Sequence, residues 1–199
     1  MSSDAQSPTG PDEQTAAPVP DAAALAASAA SLRLVELVRE VEKHVAHQGW
    51  DQNPRLFALA RTADLVAFEP ALAESLGDAA QDPTSLTPVE QEELDTSRPL
   101  DEVLATTMWP DEVRGAALVL ERVMLPPEAE AALPDDPTEL EALVAEHPGR
   151  QDVRMVVVVT REGERMCALR MRSFDACENV LVGEELVPRL ADALAATFQ

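Results

Sequence analysis

Two stretches of the chain carry apolar residues at helical spacing, and three carry them at the density of strands. Leu34, Val38, Val41 and Val45 recur along one stripe, with Glu36, Glu40 and Lys43 on the other side. Asp21 is a good N-cap for this helix, Gly49 is its stop, and Pro18 and Pro20 keep it from running backwards. Near the other end, Val187, Leu190, Leu194 and Phe198 share one face of a second helix. Pro188 belongs in its first turn, because deeper inside a helix it would cost about 3 kcal/mol.

The segment DVRMVVVVTREGERMCALRMRS, residues 152–173, holds two β-rich runs around Glu162-Gly163 and predicts a hairpin with a two-residue turn. In that register Arg161 lies opposite Glu164, Val158 opposite Cys167, Val156 opposite Leu169 and Met155 opposite Arg170. One face reads Val158, Val156, Cys167, Leu169 and Met171. The other reads Val159, Val157, Met155, Met166 and Ala168, ending in Arg170 and Arg172. Both faces are apolar at their centre, so both are expected to be covered, by helices or by a second subunit. VRGAALVLERVMLPP, 113–127, predicts another strand, apolar on both faces and closed by Pro126-Pro127. Residues 53–66 fit strand alternation and helical spacing almost equally, and the reading taken is a strand at about 55–61.

Shorter elements fill the remainder. EPALAESLG predicts a short helix between Pro70 and Gly77, and LDEVLATT predicts another before Trp109-Pro110. Asp136-Pro137-Thr138-Glu139 caps a further helix that Pro148-Gly149 stops. Residues 78–100 read as a long acidic connection, with one helical turn at the capping-box pattern Thr87-Pro88-Val89-Glu90. Residues 1–20, rich in Ser, Pro, Thr, Gln and Ala, have too little to bury and read as a disordered tail. The rest, 21–199, reads as a single α+β domain: a small, mostly antiparallel sheet flanked by N- and C-terminal helices.

Charge narrows the partners. The 199 residues hold 15 Lys+Arg against 37 Asp+Glu, a formal net charge of −22. Nucleic acid and anionic membrane surfaces are therefore expected not to be partners, since both are held by cations. Aromatics at 3 % leave few faces for stacking a base or sugar. The two cysteines, Cys167 and Cys177, form no disulfide framework, and the N-terminus has no cationic start; both point to the cytoplasm. There is no phosphate-cradling glycine loop, and no cofactor is expected.

Three groups could carry chemistry. Glu40, His44 and His47 lie along one flank of the first helix, where a metal could use them; a solvated flank is the plainer reading. Five arginines (Arg154, Arg161, Arg165, Arg170 and Arg172) gather in 152–173. Arg170 and Arg172, with Glu121 and Trp109, could form an anion site at the sheet end. The alternative, placed first, is internal pairing with carboxylates such as Glu121, Glu184 or Glu185, and edge protection by Arg161 and Arg165. Cys177 and His147 have no nucleophile motif around them. The acidic run across 69–102 reads as solvated surface, or as a docking strip for a basic protein.

The expected function is a cytoplasmic, non-enzymatic interaction or adaptor protein that binds another protein or itself, the latter as a homodimer. The alternative is a small-molecule anion sensor or small enzyme at the arginine-bearing sheet end. GWDQNPRLFALARTADL (49–65), WPDEVRGAALVLERVMLPPEAEAALP (109–134), the 152–173 segment and VGEELVPRLADAL carry a likeness to a known family. Through them the chain resembles a family of conserved actinobacterial proteins of unknown function, which implies no catalytic residue. In outline, the expected domain is also similar to type III secretion chaperone-like folds.

Overall fold

The computed structural model describes residues 22–130, 134 and 136–199. The tail read as disordered and the Asp21 cap lie outside the described residues. Helix α1 (Ala22–Ala46) leads through a turn into strand β1 (Arg55–Arg61). Helices α2 (Thr62–Phe68) and α3 (Leu72–Leu76) and a 3-10 turn at Gly77–Gln81 precede β2 (Leu86–Glu90). Then come α4 (Leu100–Ala105), β3 (Val113–Met124), α5 (Pro127–Glu130) and α6 (Pro137–Glu146). Strands β4 (Gln151–Thr160), β5 (Arg165–Met171) and β6 (Leu181–Gly183) lead to α7 (Pro188–Ala195), whose first residue is the expected proline.

The strands form one sheet in the order β2-β1-β3-β4-β5-β6, antiparallel at every pairing. Helix α1 covers one face. Its Leu34, Leu37, Val38, Val41 and Val45 pack on Phe57, Leu59, Ala117, Val119, Val156, Val158, Met166 and Ala168. On the other face, Ala191 and Leu194 of α7 and Leu104 of α4 pack on Leu56, Ala116, Leu118, Leu120, Val157, Val159 and Cys167. The α+β class with flanking helices is as the periodicity predicts. Both apolar faces of the hairpin are covered by the chain's own helices, so they no longer call for a second subunit. Within the sheet β3 and β4 approach closely at Gly115, where a Cβ would lie 2.5 Å from the Val159 carbonyl oxygen.

Two local expectations are corrected. The hairpin turn has three residues, not two. Thr160 N donates to the Glu164 carbonyl at 2.9 Å and Gly163 N to the Thr160 carbonyl at 3.0 Å, with Gly163 at φ +89°. This is the turn-plus-bulge connection in which glycine takes the left-handed position at the end of the loop. The register therefore pairs Val158 with Met166, Val157 with Cys167, Val156 with Ala168, Met155 with Leu169 and Arg154 with Arg170. The faces of β4 stay as expected, and every side chain of β5 changes face. As a result Arg170 stands beside Arg154, on the α1 side.

The second correction concerns Thr87–Glu90. These residues form no helical turn; they lie in β2, pairing antiparallel with β1 from Phe57↔Glu90 to Arg61↔Leu86. Pro88 cannot donate to a ladder and fits here because β2 is the outermost strand. The Glu90 carboxylate holds the strand down by accepting both Arg55 Nε and Nη2 at 2.5 Å. The acidic connection is thus interrupted by a strand, leaving 91–99 without regular structure. No helix among the described residues is long and apolar enough to cross a membrane.

Candidate functional site

The expected anion site lies where α1, the turn after it, and the ends of β3, β4 and β5 converge. Like charges directly opposite each other in a sheet repel, and Arg154 and Arg170 are such a pair. Glu42 resolves the conflict. It projects from the buried stripe of α1 and is itself buried. Arg170 Nη1 donates to its two carboxylate oxygens at 3.0 and 3.2 Å, and Arg154 Nη1 stands 3.7 Å from Oε1. Arg154 also donates from Nε and Nη2 to Glu121 Oε1, at 3.1 and 2.7 Å, and from Nη2 to the Gly49 carbonyl.

A more exposed shell surrounds this pair. Arg170 Nε lies 2.9 Å from Asp175 Oδ1, although its N–H is not directed along that line. Its Nη2 donates to Cys177 Sγ at 3.4 Å. Burial disfavours the Arg170 charge, but Glu42, Cys177 and Asp175 outweigh it and hold the guanidinium protonated. Arg172 makes a bidentate pair with Asp51 at 2.7 and 2.9 Å, with Asp152 at 3.7 Å. Trp50 sits within the same shell. Its Nε1 donates to Asp175 Oδ2 at 3.0 Å, and the guanidiniums of Arg154 and Arg172 lie 4.5 and 5.6 Å from its ring centroid.

Glu121, Arg170 and Arg172 are thus brought together, and each meets groups of the same chain. Glu121 also accepts the Asp51 N–H at 2.7 Å, which links it to the Arg172 pair. Trp109 is not there. It packs on the α7 side, stacked on Phe198 at 6.0 Å with Nε1 donating to Thr197. The tryptophan of the cluster is Trp50, and its central acid is Glu42. Neither was singled out from the sequence, although Glu42 falls in phase with Val38, Val41 and Val45. The other hairpin arginines are engaged too. Arg161 donates to the carbonyls of Val113, Trp109 and Pro110, and Arg165 pairs with Asp192 and Glu185.

The acid shell has a pH consequence. Hydrogen bonding to Arg172 holds the Asp51 carboxyl below its ordinary range, and hydrogen bonding to Arg55 does the same for Glu90. A carboxyl whose folded value is depressed contributes stability above its unfolded value, and the contribution is lost as pH falls through the folded value. Stability is therefore expected to fall as pH drops below about 4, near the unfolded values of Asp and Glu. Asp51→Asn, which keeps a residue tolerant of φ 65° at this position, is expected to flatten that limb in denaturation curves taken between neutral and acid pH. An unchanged acid limb in the variant would refute the assignment.

Of the suggested metal ligands, Glu40 lies on the outer face of α1. His47 Nδ1 lies 2.6 Å from the carbonyl of Lys43, and His44 Nε2 faces Glu90 at 3.7 Å. Among the described residues no three His, Cys, Asp or Glu side chains are grouped as a metal ion would require. Cys167 is buried beside the Glu184 carbonyl, and His147 Nδ1 accepts the nearby Gly149 N–H.

Cavities open elsewhere among the described residues. One, of about 690 Å³, lies between the α1 stripe, the 78–86 segment and the hairpin tip, and mixes Arg33, Arg61 and Arg114 with several acids. The second, about 380 Å³, has walls of Leu120, Met155, Val187 and Leu190; the third, about 770 Å³, runs from Pro54 past α4 to α7. These last two share Arg122, Arg189 and Leu190 and form one groove on the α7 face. A family model described as PPA1309-like protein matches residues 34–199. No curated protein and no solved structure matches the chain.

Proposed function

The chain belongs to the PPA1309-like family, and for it we propose a non-enzymatic interaction or adaptor role in an actinobacterial cytoplasm. One observation carries this reading: each open edge of the sheet bears an exposed apolar side chain. Val89 on the outer strand β2 is 39 % exposed and Leu181 on the outer strand β6 is 52 % exposed. Val123 and Met124, at the end of β3 where β1 no longer flanks it, are 40 % and 42 % exposed. Exposed edges are usually blunted by charge, and apolar edges mark places where another chain adds or packs. The net charge of −22 keeps such a surface soluble and favours partners that present cations to most of it.

The test is direct. The full-length protein is sized by light scattering and cross-linked in its own cell extract. A dimer, or one dominant cross-linked protein, is the expected result. A strict monomer with no cross-linked protein would remove the proposal.

A further inference from the structure

Strand β3 outruns its neighbour. β1 begins at Arg55, opposite Val119, so Leu120–Met124 pair only with β4. Among the described residues the backbone of this overhang makes no other backbone hydrogen bond; on the α1 side its Glu121 carboxylate accepts the Asp51 and Gln52 N–H groups. The two-part groove lies beside it. Arg122 comes from the overhang itself, in alternation with Leu118 and Leu120 and therefore on the α7 side. Arg189 comes from the first turn of α7. Neither makes an ion pair or a side-chain hydrogen bond among the described residues, whereas all five hairpin arginines do.

An unpaired strand edge presents backbone donors and acceptors to an extended chain, and the groove walls can take every second side chain of that chain. Unpaired guanidiniums grip carboxylates bidentately. Most of this acidic surface would repel a carboxylate, and this groove holds two cations that pair with no acid among the described residues. Its far wall carries Asp95 of the 91–99 connection, engaged by Ser97, and Asp101 of α4, which disfavours acids there and confines them to the β3–α7 side. A small amphiphilic acid would satisfy the arginines but leave the strand edge open.

Resting on the interaction reading above, we propose that this groove receives an extended partner segment alternating apolar and acidic residues. The segment adds beside Leu120–Met124, with its carboxylates on Arg122 and Arg189.

The experiment titrates the full-length protein with a fluorescent, end-blocked decapeptide of alternating Val and Glu. The Lys-for-Glu counterpart and laurate are run in parallel. The acidic peptide is expected to bind, more weakly as salt rises, and the lysine peptide is not. The double variant Arg122→Glu/Arg189→Glu is expected to weaken binding at least ~10-fold, about 1.4 kcal/mol. The milder Arg122→Gln/Arg189→Gln should show the same direction with an unchanged circular dichroism spectrum. Arg33→Glu/Arg61→Glu, in the other cavity, should change nothing. Equal binding of both peptides, no binding of the acidic one, or full affinity in the Arg122/Arg189 variants overturns the proposal. Laurate binding without peptide binding assigns the groove to a small amphiphile and overturns it as well. A cross-linked partner that still binds both variants leaves the interaction reading standing and removes only the groove.

Discussion

Glu42→Ala is expected to destabilise the fold by about 3–5 kcal/mol, the cost of leaving a buried charge without its partner. The residue is the only carboxylate that touches both Arg154 and Arg170 among the described residues. Those arginines are directly opposite on neighbouring strands, and both are buried. Arg154 keeps Glu121 in the variant, and Arg170 keeps Asp175 and the Cys177 Sγ at the margin of the cluster. Equilibrium denaturation reads the effect as a lower midpoint at an unchanged slope. Glu42→Gln retains an acceptor without the charge and should fall between the two. A Glu42→Ala midpoint within error of the parent would show that the pair is already solvated, and would remove the cluster as a structural centre.

The same cluster offers a second comparison. Exchanging Glu42, Arg154 and Arg170 together for Leu, Met and Met removes the charges in concert rather than orphaning them. Such replacements of buried ion networks are often neutral or stabilising. Glu121 would retain the Asp51 and Gln52 N–H groups it already accepts. If the triple variant matches the parent while Glu42→Ala does not, the cluster fixes how α1 and its turn sit on the sheet rather than adding net stability.

What could be read from the sequence follows how local each signal is. The stripes of α1 and α7, the apolar density of β3 and the paired runs of β4 and β5 are all written in neighbouring residues, and the structure places them as expected. β2 is hidden in the sequence because Thr87-Pro88-Val89-Glu90 looks locally like a capping box, while its ladder partner in β1 is about thirty residues away. β6 has only Leu181–Gly183, too short for any period to show. The hairpin shows how a small misreading spreads. One residue more in the turn moved all of β5 to the other face, and so concealed that Arg154 and Arg170 meet. The candidate site was half legible. The surplus of arginines announced internal pairing, but Glu42 stands 128 residues from Arg170 and only its phase with the apolar stripe distinguished it from the other acids of α1. Trp50 and Trp109 could not be told apart by sequence, since each lies just before a strand.

Leu194→Ala is expected to cost about 2–5 kcal/mol, the range for deleting a fully buried leucine side chain. Leu194 is fully buried against the α7-side core. The eight residues of α7 are too few to hold a helix in water alone, so its stability comes from this packing. Cys167 reports the loss. It is fully buried beneath α7, and burial pushes its thiol pKa up. Cys177 is exposed. In the parent, one thiol is therefore expected to react with a disulfide reagent at once and the other only through opening of the structure. Where opening is rapid compared with labelling, the rate follows the population of the open form. A loss of 2–5 kcal/mol then accelerates the slow thiol by roughly 30- to 4,000-fold, at tenfold per 1.4 kcal/mol. Comparing the labelling free energy with the denaturation free energy separates local release of α7 from global unfolding: a smaller labelling value means that α7 lifts off by itself. A slow thiol whose rate does not change in Leu194→Ala would mean that α7 is not what shields Cys167, and that the thiol is reached by opening of the segment around Glu184 instead.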